Sequence, residues 1–318
     1  MEKLLDRAAA GEQLNRQEAM ELLSIANGSA DYYRLLGIAN EDSRRRFGGR
    51  GEIYAQIGME ASGCPANCAF CSMAQDVFDP GCSFVLPVEQ VRQMVQQLAE
   101  QGVDEIFLMT TVNFDQEEFL RYGAAVRECM PASMRLVANV GDFDAAYARR
   151  LKETGFTGVY HICRLGEGVD TCLDPQQRIR TLDAVKEAGL ALYYCVEPIG
   201  PEHSYEQIVE EIFRAREYPV EVMAVMKRVC VPGTKLHSRG EISAAELAKI
   251  CAVTTLCVRP SRAMGVHEPD GLCLMAGANQ IYTEVSANPR DVSLHTENSR
   301  GASMEKTLQL LHNAEWQR

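Results

Sequence analysis

"LPVEQVRQMVQQLAEQGVDEIFLMT", residues 86–110, is a helix that stops and a strand that starts. Pro87 suits a first helical turn, Val91, Met94, Val95 and Leu98 recur on one helical face, and Gly102 ends the run. "EIFLMT" (105–110) then reads as a short buried strand. The same unit repeats along the chain. Strands are expected at 52–59, 105–110, 134–140, 158–163, 190–195, 220–230, 262–266 and 279–285. Helical segments lie between them, among them one from Asp174-Pro175 to Gly189 and one opened by Ser243 with Glu246 as a capping box. Alternation of this kind predicts a parallel sheet, and eight units predict a closed (β/α)8 barrel of the TIM type in the α/β class. The last two strands carry the weakest pattern, so an incomplete six-stranded barrel is the alternative.

Residues 1–50 read as a helical extension ahead of a barrel spanning 51–318. Asn15 with Glu18 forms a capping pair before "AMELLSI", "ADYYRLLGIANEDSRRRF" follows at helical period, and "GGRG" (48–51) ends the preamble. Its "EDSRRRF" reads as a solvated helix face.

The 318 residues carry a formal net charge of -12. Such acidity argues against the basic face that nucleic acid or an anionic membrane requires. No secretory leader and no apolar run of membrane-spanning length is visible, which predicts a cytoplasmic protein with no nucleic-acid or membrane partner. Thiols stay reduced in that compartment, so the 12 cysteines point to metal or cluster chemistry rather than a disulfide framework.

Three of them sit in "ASGCPANCAFCSMA" (61–74), directly after the first strand: Cys64, Cys68 and Cys71 in a C-x3-C-x2-C pattern. A structural zinc site wants four ligands, usually as two close pairs, and no histidine occurs before His161. A [4Fe–4S] cluster needs one thiolate per iron, and three leave one iron open. Gly63, Pro65, Ala66 and Ala69 are small or turn-forming and let the backbone wrap a cluster.

C-x3-C-x-aromatic-C in this context resembles the signature of the radical S-adenosylmethionine enzymes. The resemblance implies that S-adenosylmethionine chelates the open iron and is cleaved by one electron to a 5′-deoxyadenosyl radical, with Phe70 near the adenine. Beyond the loop, "LNRQEAMELL", "RIRTLDAVKEAGLAL", "VPGTKL" and above all "LMAGANQIYT" resemble the biotin synthases and their clan. That implies sulfur insertion into dethiobiotin, an auxiliary iron–sulfur cluster as sulfur donor, and electrons from a flavodoxin or ferredoxin; a homodimer is compatible with it.

The family's better-known auxiliary cluster takes cysteines from the second, third and fifth strands and an arginine. Here the second and third strands have none, and "RPSRAMGVHEP" places no arginine cleanly. Cysteines fall elsewhere: Cys163, Cys195 and Cys230 at the ends of the fourth, fifth and sixth strands, with Cys172 in the loop after the fourth. One such cysteine is most simply a small buried hydrophobe. Four at the catalytic end favour an all-cysteine auxiliary cluster. Cys82, Cys129, Cys251, Cys257 and Cys273 read as structural.

Clan resemblance also places Arg164 and Glu167 at the aminoacyl end of S-adenosylmethionine, Ile199 against the adenine and Glu197 on the ribose; an ordinary loop ion pair is the plain alternative for the first two. His161, expected to point into the barrel, and Asn139, ending the third strand, are candidate substrate contacts, with core packing the plain alternative. No residue is assigned a catalytic role. The competing functions are another reaction of the clan, of the methylornithine-synthase or hydrogenase-maturase kind, and a non-enzymatic iron–sulfur carrier.

Overall fold

The computed structural model describes all residues 1–318. Eight parallel strands form the barrel: β1 (Glu52–Gly58), β2 (Glu105–Met109), β3 (Arg135–Asn139), β4 (Gly158–Tyr160), β5 (Ala191–Ile199), β6 (Val220–Lys227), β7 (Ala263–Val266) and β8 (Gln280–Ser286). Each pairs with its sequence neighbour, and β1 pairs with β8 to close the ring. The six-stranded alternative is therefore excluded, and the weakly patterned last two strands are real.

The helices form where the sequence supplies ends for them. α1 (Glu2–Ala9), α2 (Arg16–Leu23) and α3 (Ala30–Arg46) precede the barrel. Asn15 and Glu18 satisfy each other's backbone N–H groups at the start of α2, as the capping pair predicts. The outer ring comprises α4 (Val88–Glu100), α5 (Gln116–Cys129), α6 (Ala145–Thr154), α7 (Pro175–Ala188), α8 (Tyr205–Ala215) and α9 (Ala244–Val258). α7 has Pro175 in its first turn and left-handed Gly189 as its stop. At α9 only half of the expected box forms. Ser243 accepts from the Glu246 N–H, while the Glu246 carboxylate turns instead to Asn27, Tyr205 and Lys249.

α1–α3 share the barrel's apolar core through Leu5, Leu22, Leu35 and Ala39. The "EDSRRRF" stretch is not a solvated face. Asp42 and Ser43 are buried: Asp42 pairs with Arg45 and Arg259, and the Ser43 hydroxyl donates to Gly277 O at 2.7 Å. Inside the barrel, Tyr54, Phe107, Tyr193 and Tyr282 interlock with ring centroids 5.2–6.2 Å apart. Below them Tyr193 donates to Glu105, which pairs with Arg262 at 2.6 Å. Aromatic packing and the Glu105–Arg262 pair fill the amino-terminal half of the barrel interior, and the interior opens at the carboxy-terminal ends of the strands.

Candidate active site

That opening is a cavity at the carboxy-terminal mouth of the barrel, where enzymes of this architecture place their sites. Strand alternation decides what faces it: Gln56 of β1, Met109 of β2, Asn139 of β3, Tyr160 of β4 and Glu197 of β5 line its wall. Loops add Glu60, Thr111, Arg164, His267 and Arg290, and the rim carries Cys64, Cys68 and Cys71.

The cysteine loop is held from several sides. Cys64 N–H donates to Met73 O at 2.8 Å, Ala69 N–H to Asp170 O at 2.8 Å, and Ser72 N–H to Pro289 O at 2.9 Å. Asn67, at φ 46, turns the chain, and its side chain accepts from the Asp76 N–H. Met73 N–H also donates to Cys71 Sγ at 3.3 Å, the kind of bond that stabilises a cluster thiolate. Burial pushes the Cys68 thiol up to about 11 and Cys71 further still; bound iron reverses that preference, because a metal ligates the thiolate. Three cysteine sulfurs bordering one cavity, with no fourth thiol or imidazole in their loop, fit a cluster that keeps one iron open toward that cavity.

Arg164 faces the cavity between two carboxylates, with Nη1 3.5 Å from Glu167 Oε2 and Nε 3.4 Å from Glu197 Oε1. Burial opposes its charge, but Glu167 and Glu197 outweigh burial and hold the guanidinium above its ordinary range. Glu167 itself is behind the wall, accepting from Thr171 Oγ1 at 2.6 Å and Arg164 N–H at 3.1 Å. It anchors the loop that presents Arg164. Glu60, buried against the rim, accepts both the backbone and hydroxyl of Thr111 at 2.6 Å.

Three of the residues expected from the sequence do not line this cavity. Tyr160 is the inward residue of its pair, so His161 points out through the wall. Its Nε2 lies 3.3 Å from Asp142 Oδ1, beside Arg178, and it is no cavity contact. Ile199 faces outward too, lining a separate cleft with His203, Ile208 and Ile250. Phe70 is half-buried and does not line the cavity.

The four further cysteines do not share one space. β5 runs on to Ile199, so Cys195 is inside the strand rather than at its end, and its sulfur neighbours Tyr160 and Glu197 within the barrel. β4 stops at Tyr160. Cys163, three residues on, donates its N–H to Tyr194 Oη at 3.5 Å and neighbours Glu211 and Arg214 of α8, outside the wall. Cys172 is exposed, its N–H donating to Ala66 O at 2.7 Å. Cys230 lies three residues past β6, with its N–H on Glu241 Oε1 at 3.0 Å. Of the four, only Cys195 neighbours residues that line the cavity, Tyr160, Glu197 and His267, without lining it itself. Cys251, Cys257 and Cys273 are buried in the core.

The outward His161 has a consequence for stability. Burial first, and the Arg178 charge second, push its imidazole down to about 3, while Asp142 is held at about 2 despite burial by His161 and Arg178. Between about pH 6.5 and 3 the unfolded chain takes up a proton that the folded chain refuses, so stability falls as pH drops through that window. From pH 7 to pH 5 the loss from this one group is about 2 kcal/mol. His161→Gln should therefore narrow the gap between urea midpoints measured at pH 7 and pH 5.

The sequence of residues 61–243 matches the Radical SAM superfamily, and the chain belongs to that superfamily. Within it, this is a radical S-adenosylmethionine enzyme of the biotin synthase clan. It is 25% identical to the biotin synthase of Carboxydothermus hydrogenoformans, over 98% of this chain and 96% of that one. It is 26% identical to the biotin synthase of Acetivibrio thermocellus, over 80% of each. The fold superposes on methylornithine synthase with a TM-score of 0.81 at 19% identity, covering 98% of this chain and 95% of the other. The FeFe-hydrogenase maturase HydG of Carboxydothermus hydrogenoformans gives 0.79 at 13% identity, covering 98% and 77%. No helix is long and apolar enough to cross a membrane.

Sequence reasoning missed Glu60, His267 and Arg290 as cavity residues. His267 carried a usable signal, because it directly follows β7, where barrel enzymes place working side chains.

Proposed function

We propose that the chain inserts sulfur into dethiobiotin to form biotin, using a [4Fe–4S] cluster held by Cys64, Cys68 and Cys71 together with S-adenosylmethionine. The observation that carries this reading is the similarity to biotin synthases along 98% of the chain, joined to a fifth-strand cysteine, Cys195, buried beside the cavity residues Glu197 and His267. When bound, the cluster and S-adenosylmethionine supply the carbon radical that removes hydrogen from substrate. The protein's own residues do the positioning. Arg164 offers a planar fork to the aminoacyl carboxylate. Asn139 and Gln56 present amide groups to a polar ring, and the filled lower barrel keeps water out. A one-electron donor of the flavodoxin or ferredoxin kind completes the system.

Sulfur has to come from beside the cavity, and the auxiliary iron–sulfur site is accordingly narrowed to surroundings of Cys195. The separation of Cys163, Cys172 and Cys230 from it favours one competing reading, a clan reaction that rearranges a carbon skeleton without a sulfur donor. An anaerobic assay of the reconstituted protein with S-adenosylmethionine and dethiobiotin separates the two. Biotin with about two 5′-deoxyadenosines per turnover supports sulfur insertion; 5′-deoxyadenosine without biotin supports rearrangement of another substrate.

Arg164→Ala should raise the apparent KM for S-adenosylmethionine roughly 10- to 100-fold, the worth of one charge-assisted pair. An unchanged KM would remove Arg164 from that role.

A further inference from the structure

Beneath the cysteine loop, Cys195 and Glu197 of β5 and His267 just after β7 bring a thiol sulfur, a carboxylate oxygen and an imidazole nitrogen within 4.8 Å of one another. All three are buried, His267 to 2% exposure. Neither nitrogen of His267 has a hydrogen-bond partner. Its ring is nevertheless fixed, stacked on Tyr282 at 4.1 Å and edge-on to Tyr160 at 5.2 Å. A buried polar group held rigid and left unpaired is costly, and needs a ligand to explain it. Glu197 is oriented as well, because the Tyr160 hydroxyl donates to its Oε2 at 2.6 Å and leaves Oε1 facing Arg164. The nearby Arg290 charge is matched by Glu268 and Glu284.

We propose that Cys195, Glu197 and His267 hold one divalent transition-metal ion of the zinc class, with its fourth coordination position open to the cavity. Thiolate, imidazole and carboxylate together suit a borderline ion, and three protein ligands with one open position is the arrangement of catalytic rather than structural zinc. Tetrahedral ligands stand about 3.5 Å apart, so binding asks the trio to close by about 1 Å. The Cys195 proton leaves on binding, and thiolate plus carboxylate then neutralise the ion. Tyr160 and Tyr282 act as the outer partners that fix ligand direction. A substrate heteroatom at the open position would be oriented beneath the cysteine loop. Cys195 serves one centre at a time, so this ion and an auxiliary iron–sulfur cluster are alternative occupants of the same place, and the test is made on protein that holds no cluster there.

The test is an anaerobic cobalt(II) titration of the full chain carrying Cys64→Ala, Cys68→Ala and Cys71→Ala, which removes the competing thiols. One cobalt per chain should bind, with a thiolate-to-cobalt charge-transfer band and the visible bands of a tetrahedral ion. Cys195→Ala in that background should abolish the charge-transfer band, and His267→Ala should weaken binding at least about tenfold. No band, or a band that survives Cys195→Ala, overturns the proposal. If circular dichroism shows that the triple variant has not folded, elemental analysis decides. After zinc loading, the otherwise wild-type Cys195→Ser chain should hold one zinc fewer than wild type while keeping its loop iron. Equal zinc in both overturns it. None of these readings depends on whether biotin is formed.

Discussion

Alanine at Cys68 should strip the reconstituted protein of about four irons per chain and stop 5′-deoxyadenosine formation, leaving the fold intact. Cys68 is on a rim loop whose backbone is tied down independently of its sulfur, through Ala69 N–H to Asp170 O and Leu236 N–H to Ala69 O. The path of the loop therefore does not depend on the sulfur, although Cys68 packs partly against the small cluster of Ala61, Ala66 and Met73. With three thiolates and no spare, two cannot retain the cluster. Cys172→Ala is the control, since that residue is exposed one loop away and faces solvent rather than the cavity. It should leave iron content and S-adenosylmethionine cleavage at wild-type values. Iron analysis and chromatography of the nucleoside on both variants check the pair.

The largest effect outside the cluster loop is expected at Gly58, the last residue of β1. It pairs with Ser286 of β8 and Met109 of β2, where the barrel closes. A Cβ on residue 58 would sit 1.9 Å from the carbonyl oxygen of Ala287. Backbone cannot swing aside as a long side chain can, so Gly58→Ala must push β1 away from β8. Overpacking of this kind costs about 3 kcal/mol or more, which lowers Tm by about 5–10 °C in a chain of this size. The same shift moves the entry to the cysteine loop six residues on, so cluster occupancy should fall with stability. Gly37 is the contrast. It lies within α3 with nothing inside 4 Å of an added Cβ, and Gly37→Ala should raise Tm slightly through helix propensity. Thermal unfolding of both variants, with cluster absorbance on the first, tests the argument.

The barrel was legible because each βα unit carries two periods, 3.6 and 2, separated by a stop such as Gly102 or Gly189. Even the short β7 shows its run of four buried residues. What did not follow was phase. Whether a strand residue faces in or out depends on where the strand ends, and an error of a few residues reverses the answer. β5 continues to Ile199, which turns Cys195 and Glu197 inward and Tyr194 toward α8. β4 ends at Tyr160, which leaves His161 outside the wall and Cys163 beside α8. The four cysteines therefore looked convergent in one dimension and are separated by the wall in three. Arg290 went unseen for a different reason. It enters from a loop whose path is set by contacts from Ser72 to Pro289 O and from Arg290 to Glu284, over two hundred residues apart in the first case. The cysteine triplet was readable because its spacing is local and its chemistry needs no knowledge of the rest of the fold.

Deuterium transfer tests the account most directly. Dethiobiotin deuterated at the two carbons that acquire sulfur is incubated anaerobically with the reduced protein and S-adenosylmethionine, and the 5′-deoxyadenosine is weighed by mass spectrometry. Sulfur insertion in this cavity predicts deuterium in the 5′-deoxyadenosine and its appearance together with biotin. Cleavage that yields only unlabelled 5′-deoxyadenosine would contradict it, leaving the radical chemistry in place and removing dethiobiotin as the molecule on which it acts.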